Sequence, residues 1–168
     1  MTFEAAAPLS LCAASVQETE SIGIRLAWAL PALNTQPGIV YLTGPLGAGK
    51  TTFARGFLSG RGFNGVVRSP TYTLLECYEL PDLVVVHLDL YRIEAPSELE
   101  ALGLREFLAS GHVLLIEWPE RGAGRLPHPD VSIAMQVEAS HHDIGLKGDT
   151  PLGAAWLRRL VELLPVSS

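Results

Sequence analysis

Glycines at 44, 47 and 49 precede a lysine and two threonines in Gly44-Pro45-Leu46-Gly47-Ala48-Gly49-Lys50-Thr51-Thr52, which fits the spacing G-x-x-x-x-G-K-T in full. Small residues in such a loop let successive backbone N–H groups turn inward onto phosphate oxygens, beside the positive end of the helix that follows. In that arrangement Lys50 reaches the β- and γ-phosphates, and Thr51 presents its hydroxyl to Mg²⁺. A chain of this composition produces the pattern by chance only about 0.002 times. Nucleotide binding is therefore the expected chemistry.

A phosphate cradle alone hydrolyses nothing, because the metal and the attacking water also need carboxylates at the ends of neighbouring strands. Two apolar runs end in an acid: Val84-Val85-Val86-His87-Leu88-Asp89 and Val113-Leu114-Leu115-Ile116-Glu117. If both are strands of the sheet that carries the phosphate loop, Asp89 and Glu117 converge at its carboxyl edge, where the phosphates lie. Lys50, Asp89 and Glu117 are thus the catalytic candidates, and Thr51, Asp89 and Glu117 the metal candidates. Spacing does not decide which acid orients the water. Ser69-Pro70-Thr71-Tyr72-Thr73 follows the loop's helix, where nucleotide hydrolases place a segment that senses the γ-phosphate, and its hydroxyls suit that task.

Other polar or aromatic residues take plainer readings. His87, alone in an apolar run, reads as a structural hydrogen bonder. His141-His142 lies in a turn with no third ligand at metal spacing, which favours a solvated turn. Trp118, between Glu117 and Pro119, cannot comfortably continue a buried strand and is expected to pack on the nucleotide site or on a partner.

The elements that must position these groups are legible in the same pass. Ser15-Val16-Gln17-Glu18 is a capping box, and Ile22, Leu26, Ala29, Leu30 and Leu33 follow at near-helical spacing until Pro31 and Pro37 interrupt. Ile39-Val40-Tyr41-Leu42 reads as a strand buried on both faces, so the order around the loop is strand, glycine-rich loop, helix. Residues 74–80 and 83–88 form an antiparallel hairpin across Pro81-Asp82. Residues 96–109 carry Leu99, Leu102, Phe107 and Leu108 at helical spacing, with a break at Gly103 and a stop at Gly111. Residues 112–116 are a further buried strand. Val131, Ile133, Met135 and Val137 alternate with polar residues and pair with Ile144 and Leu146 across a polar turn. Thr150 caps a last helix that starts at Pro151 and ends by Pro165.

The 168 residues match one domain, and 48% hydrophobic against 18% charged residues is a globular composition. The expected fold is a single-domain α/β P-loop NTPase over 1–168, its central sheet mixed but mostly parallel and flanked by helices and antiparallel hairpins. Residues 1–14 are a candidate for disorder. Twelve Lys and Arg against eighteen Asp and Glu give a net charge of −6, which argues against a broad basic face gripping a phosphate backbone. Cys12 and Cys77 are too few for a disulfide framework and point to a reducing cytoplasm. The first 15 residues lack the basic region of a signal peptide, and no apolar run is long enough to span a membrane.

With these pieces placed, the sequence resembles the TsaE family of small bacterial P-loop ATPases in the formation of threonylcarbamoyladenosine in tRNA. The resemblance rests on Glu18-Thr19 four residues before Gly23, Gly47-Ala48-Gly49-Lys50-Thr51-Thr52-Phe53 and Ser69-Pro70-Thr71-Tyr72-Thr73-Leu74. It continues through His87-Leu88-Asp89-Leu90-Tyr91-Arg92 and Ile116-Glu117-Trp118-Pro119. From about Val131 onward it is one of pattern only. The resemblance implies slow hydrolysis of ATP with Mg²⁺, Thr51 and Glu117 at the metal with Asp89 beside them, Thr71 in a switch-like segment and Thr19 near the nucleotide. It also implies partnership with TsaB and TsaD, of which TsaD is the transferase, so that tRNA is met only through them.

Two other readings share the phosphate loop. A small-molecule or nucleotide kinase commonly closes a lid of clustered arginines on the transferring phosphate, and Arg121 and Arg125 are candidates for one. A GTP-controlled switch would carry Asn-Lys-x-Asp, but Asn34 precedes Thr35 and Asn64 precedes Gly65.

Overall fold

A computed structural model of the chain describes residue 3 and residues 5–166. Its centre is one seven-stranded sheet. Strands β1 (Leu9–Ala13), β2 (Gly38–Thr43), β3 (Leu75–Glu79), β4 (Val84–Asp89), β5 (His112–Glu117), β6 (Val131–Val137) and β7 (His142–Gly148) lie in the order β1-β7-β6-β2-β5-β4-β3. The pairings of β2 with β5 and β6, and of β4 with β5, are parallel. Those of β1 with β7, β6 with β7 and β3 with β4 are antiparallel. Only β7 and β3 therefore oppose the common direction, and the sheet is mixed and mostly parallel, as the sequence suggests.

Helices α1 (Val16–Trp28), α2 (Lys50–Gly60) and α3 (Pro151–Leu163) cover one face, where Leu26, Phe53, Phe57, Leu115 and Trp156 form a dry core. Trp156 donates its indole N–H to the Leu26 carbonyl at 2.8 Å, which satisfies its one polar atom inside that core. On the other face Val86, Leu88, Leu114 and Ile116 are covered by Ile93, Leu99 and Leu104 from a connecting segment. Both caps form as the sequence requires: the Ser15 hydroxyl accepts from Glu18 N–H, and that of Thr150 from Gly153 N–H.

Three expectations change. Residues 9–13, placed in a stretch that was a candidate for disorder, form edge strand β1 against β7, burying Ala13. For residues 1, 2 and 4 that expectation lies outside the described residues. Residues 96–109 divide at Gly103, as the sequence suggests, where the backbone turns left-handed, but the two pieces, Pro96–Leu102 and Leu104–Phe107, are 3₁₀ turns and not α-helix. Helix α1 stops at Trp28, before the apolar spacing in 30–33 runs out, since Pro31 cannot donate an N–H to a further turn.

The phosphate loop's helix is pressed against α1 through glycine. A Cβ at Gly56 would stand 2.2 Å from the Glu20 carbonyl oxygen, and one at Gly23 would stand 2.4 Å from that of Phe53. Alanine is the better helix former by about 1 kcal/mol, yet here the obstacle is rigid backbone, so overpacking wins. Gly56→Ala should lose about 1–3 kcal/mol of stability in urea unfolding; an unchanged midpoint would refute this account of the crossing.

Candidate active site

The phosphate loop follows β2 directly, and its turn depends on glycine at two places. Gly44 has φ +146° with the Met135 carbonyl oxygen 2.5 Å from where a Cβ would lie, and Gly49 has φ +100° as the residue that caps α2. No side chain caps α2 and no acid sits in its first turn. The first-turn N–H groups and the positive helix end are thus left for an anion.

Lys50 is buried, and its ammonium donates to the Gly44 and Pro45 carbonyls at 2.6 and 2.7 Å. It also lies 4.3 Å from the centre of the Trp118 ring. Burial lowers its pKa, and the nearby charges of Glu117, Asp89 and Glu120 work the other way.

The parallel register sets Asp89 opposite Glu117, and Glu117 in turn opposite Leu42 of β2. Both acids are buried where the strands meet the loop. Glu117 Oε1 accepts from the Thr51 hydroxyl at 2.8 Å. Asp89 Oδ2 accepts from the hydroxyls of Ser69 and Thr71, the latter at 3.1 Å, and its Oδ1 accepts from Tyr91 N–H at 2.9 Å. Burial by itself raises the Asp89 pKa, but hydrogen bonds led by that from Ser69 outweigh it and hold the carboxyl below its ordinary range.

Lys50, Thr51, Thr71, Asp89 and Glu117 therefore line one cavity of about 360 Å³, with Leu46, Gly47, Gly49 and Thr52 as the wall of the loop. Ala48, fully buried, does not line it, nor do Gly44 and Pro45, whose carbonyls hold Lys50. Thr19 lies apart from this cavity. It lines an adjoining cleft of about 310 Å³, bounded by Ala13, Ser15, Glu138 and His142, that shares Gly47, Gly49 and Thr52 with the first. The oxygen-only donor set of Thr51, Asp89 and Glu117 fits a hard ion such as Mg²⁺.

Trp118 ends β5 in the left-handed region, at φ 57° and ψ 48°, which is uncommon for a bulky side chain and turns the indole onto Lys50 and Tyr91. Tyr91, whose ring centre is 5.0 Å from that of Trp118, lines the cavity too. The sequence reading did not single it out for the site, although its place two residues after Asp89, in the turn that follows β4, was the available signal.

His87 departs from its sequence reading. It is fully buried, and among the described residues neither ring nitrogen has a hydrogen-bond partner. The two arginines considered for a lid do not cluster: Arg125 pairs with Glu100, while Arg121 lies over Tyr91, 5.4 Å from the ring centre. The turn at His141 gains a neighbour the spacing could not reveal, since the β1–β7 pairing brings Cys12 within 4.8 Å of His141 and Asp143. Two of those three are already satisfied by their own 3.1 Å contact. Among the described residues no helix is long and apolar enough to cross a membrane.

Comparison with known proteins agrees with this geometry. Residues 13–144 match the family described as Threonylcarbamoyl adenosine biosynthesis protein TsaE. The tRNA threonylcarbamoyladenosine biosynthesis protein TsaE of Haemophilus influenzae is 44% identical over 132 residues, covering 78% of this chain and 84% of that protein. Its namesake in Bacillus subtilis is 38% identical over 121 residues, covering 71% and 72% respectively. Among solved structures, YdiB of Bacillus subtilis superposes with a TM-score of 0.77 at 26% identity, over 96% of this chain and 99% of that one.

Proposed function

Since the chain belongs to the TsaE family of tRNA threonylcarbamoyladenosine biosynthesis, we propose that it is a Mg²⁺-dependent ATPase of the cytoplasm that docks on TsaB and TsaD. On this reading it supports formation of the modified nucleoside without transferring the threonylcarbamoyl group, and it meets tRNA only through those partners. The observation that carries the reading is the convergence of Lys50, Thr51, Asp89 and Glu117 on one cavity at the mouth of a phosphate loop. The net charge of −6 agrees with indirect contact with RNA.

The residues act as follows. The α2 N-terminus and the loop N–H groups hold the phosphates, and Lys50 exchanges two neutral carbonyl acceptors for anionic oxygens, a stronger pairing. Thr51, Asp89 and Glu117 would hold the metal, which would supply neutralisation of the phosphate charge. One of the two carboxylates orients the attacking water and takes its proton. The adjoining cleft beside Thr19 receives the nucleoside end, because it shares Gly47, Gly49 and Thr52 of the loop with the cavity.

Asp89 also reports on the phosphate. Its Oδ2 holds both Ser69 and Thr71, so any movement of Asp89 toward metal and phosphate is transmitted to 69–73. That segment displays Tyr72, which is 84% exposed beside Arg92 and forms a face for a protein partner. ATP should therefore favour docking through its γ-phosphate, as in other order–disorder switches. In titration calorimetry the TsaB–TsaD pair should bind this chain about 5–150-fold more tightly with a non-hydrolysable ATP analogue than with ADP, and Thr71→Ala should narrow the gap. Equal affinities in the two nucleotide states would sink the switch.

A further inference from the structure

A fully buried imidazole whose two nitrogens both lack partners is costly to keep, and an apolar side chain would fill the same space without that cost. His87 is nevertheless placed with care. It precedes Asp89 by two residues on β4 and so shares its face of the sheet, and the β4–β5 register brings Glu117 alongside. Its Nε2 stands 3.8 Å from Glu117 Oε2, about 0.6 Å beyond the outer limit of an N–H···O bond.

The two oxygens of Glu117 thus face different neighbours, Oε1 toward the Thr51 hydroxyl and Oε2 toward His87, with the Asp89 carboxyl beside the group as well. The terminal torsion of a glutamate is broad, so the single bond from Thr51 does not fix the plane of the carboxylate. A second donor on the opposite oxygen does. Hydrogen bonds at catalytic groups are often long in the free enzyme and tighten once substrate is bound.

We infer that His87 is a positioning residue: its Nε2–H donates to Glu117 Oε2 and sets the carboxylate plane when nucleotide enters. The inference rests on the ATPase reading of Glu117. It requires only a proton on Nε2, the nitrogen that faces the carboxylate.

The test has two arms. In the first, the full chain labelled with ¹⁵N-histidine is examined by NMR, free and with Mg²⁺ and a non-hydrolysable ATP analogue. The expected result is a His87 carrying a proton on Nε2, with that proton moving downfield when the analogue binds and the movement lost in Glu117→Gln. A proton on Nδ1, or a movement that survives Glu117→Gln, overturns the inference.

In the second arm, His87→Gln places an amide nitrogen near the Nε2 position and His87→Asn places one near Nδ1. His87→Asn should lose about 10–100-fold in kcat with KM within about twofold, the usual cost of removing an outer partner, and His87→Gln should turn over about tenfold faster than it. Asn performing as well as Gln would show a packing role instead. If neither variant folds, the NMR arm on the unmodified chain decides. A parent chain that hydrolyses no ATP, alone or with partners, would refute the ATPase reading, whereas the tautomer of His87 is read without turnover.

Discussion

Asp89→Asn and Glu117→Gln should each slow ATP hydrolysis by about 10²–10⁴-fold while changing ATP affinity little, because both act chiefly on the transition state. On the proposed reading the loop N–H groups and Lys50 supply most of the attraction for bound phosphate, and neither substitution removes them. The replacements are nearly isosteric and keep an oxygen to accept from Ser69, Thr71 or Thr51, so the fold should survive. Turnover of either variant within about twofold of the parent would remove that carboxylate from the mechanism.

A second consequence concerns acid stability. The Asp89 pKa is lowered in the folded chain from its ordinary 3.8, so its contribution is present above that value and lost as pH falls through the lower folded value. The parent should therefore lose stability below about pH 4 with a component that Asp89→Asn lacks.

Lys50→Ala should weaken ATP binding by about 10²-fold or more. Hydrogen bonds to a charged group are worth about 1.5–3 kcal/mol each, and a lysine reaching two phosphates makes at least a pair of them. The fold does not depend on this ammonium in the same way. Its partners in the free chain are the carbonyls of Gly44 and Pro45, and since Lys50 lines the cavity, water can take its place on them once the side chain is gone. Removing it also leaves Asp89 and Glu117 with less opposing charge, which adds to the repulsion of phosphate. Titration calorimetry checks this directly, with the thermal midpoint of the variant as the control for folding. Unchanged affinity in a folded variant would show that the phosphates bind elsewhere.

The phosphate loop was legible because its signal is local: nine consecutive residues between an apolar run and a helix fix both the turn and its chemistry. Asp89 and Glu117 were legible for a related reason, since buried parallel strands read as apolar runs and their ends are where an acid first becomes tolerable. What escaped depends on partners distant in sequence. Strand β1 has only five residues, and its pairing partner lies beyond residue 140, so nothing near it marks it as ordered. The tie between Thr71 and Asp89 follows from the β3–β4 hairpin bringing the segment back over the strand end, which no spacing rule contains.

Trp118 was half legible. That it could not continue the strand follows from Pro119, but its left-handed backbone and its place over Lys50 required coordinates. His87 was misread because a lone histidine in an apolar run is usually satisfied, and only the structure reveals that this one is not. At 96–107 the break at Gly103 was legible and the helix type was not, since leucines spaced three and four apart suit an α-helix or a 3₁₀ turn.

The central claim is that this cavity hydrolyses ATP in the service of TsaB and TsaD. Phosphate release by the purified chain, measured with Mg²⁺ first alone and then with both partners present, tests it most directly. The account predicts slow release alone, a clear rise when TsaB and TsaD are added together, and loss of both signals in Lys50→Ala. Release no greater than that of Lys50→Ala under either condition would contradict it.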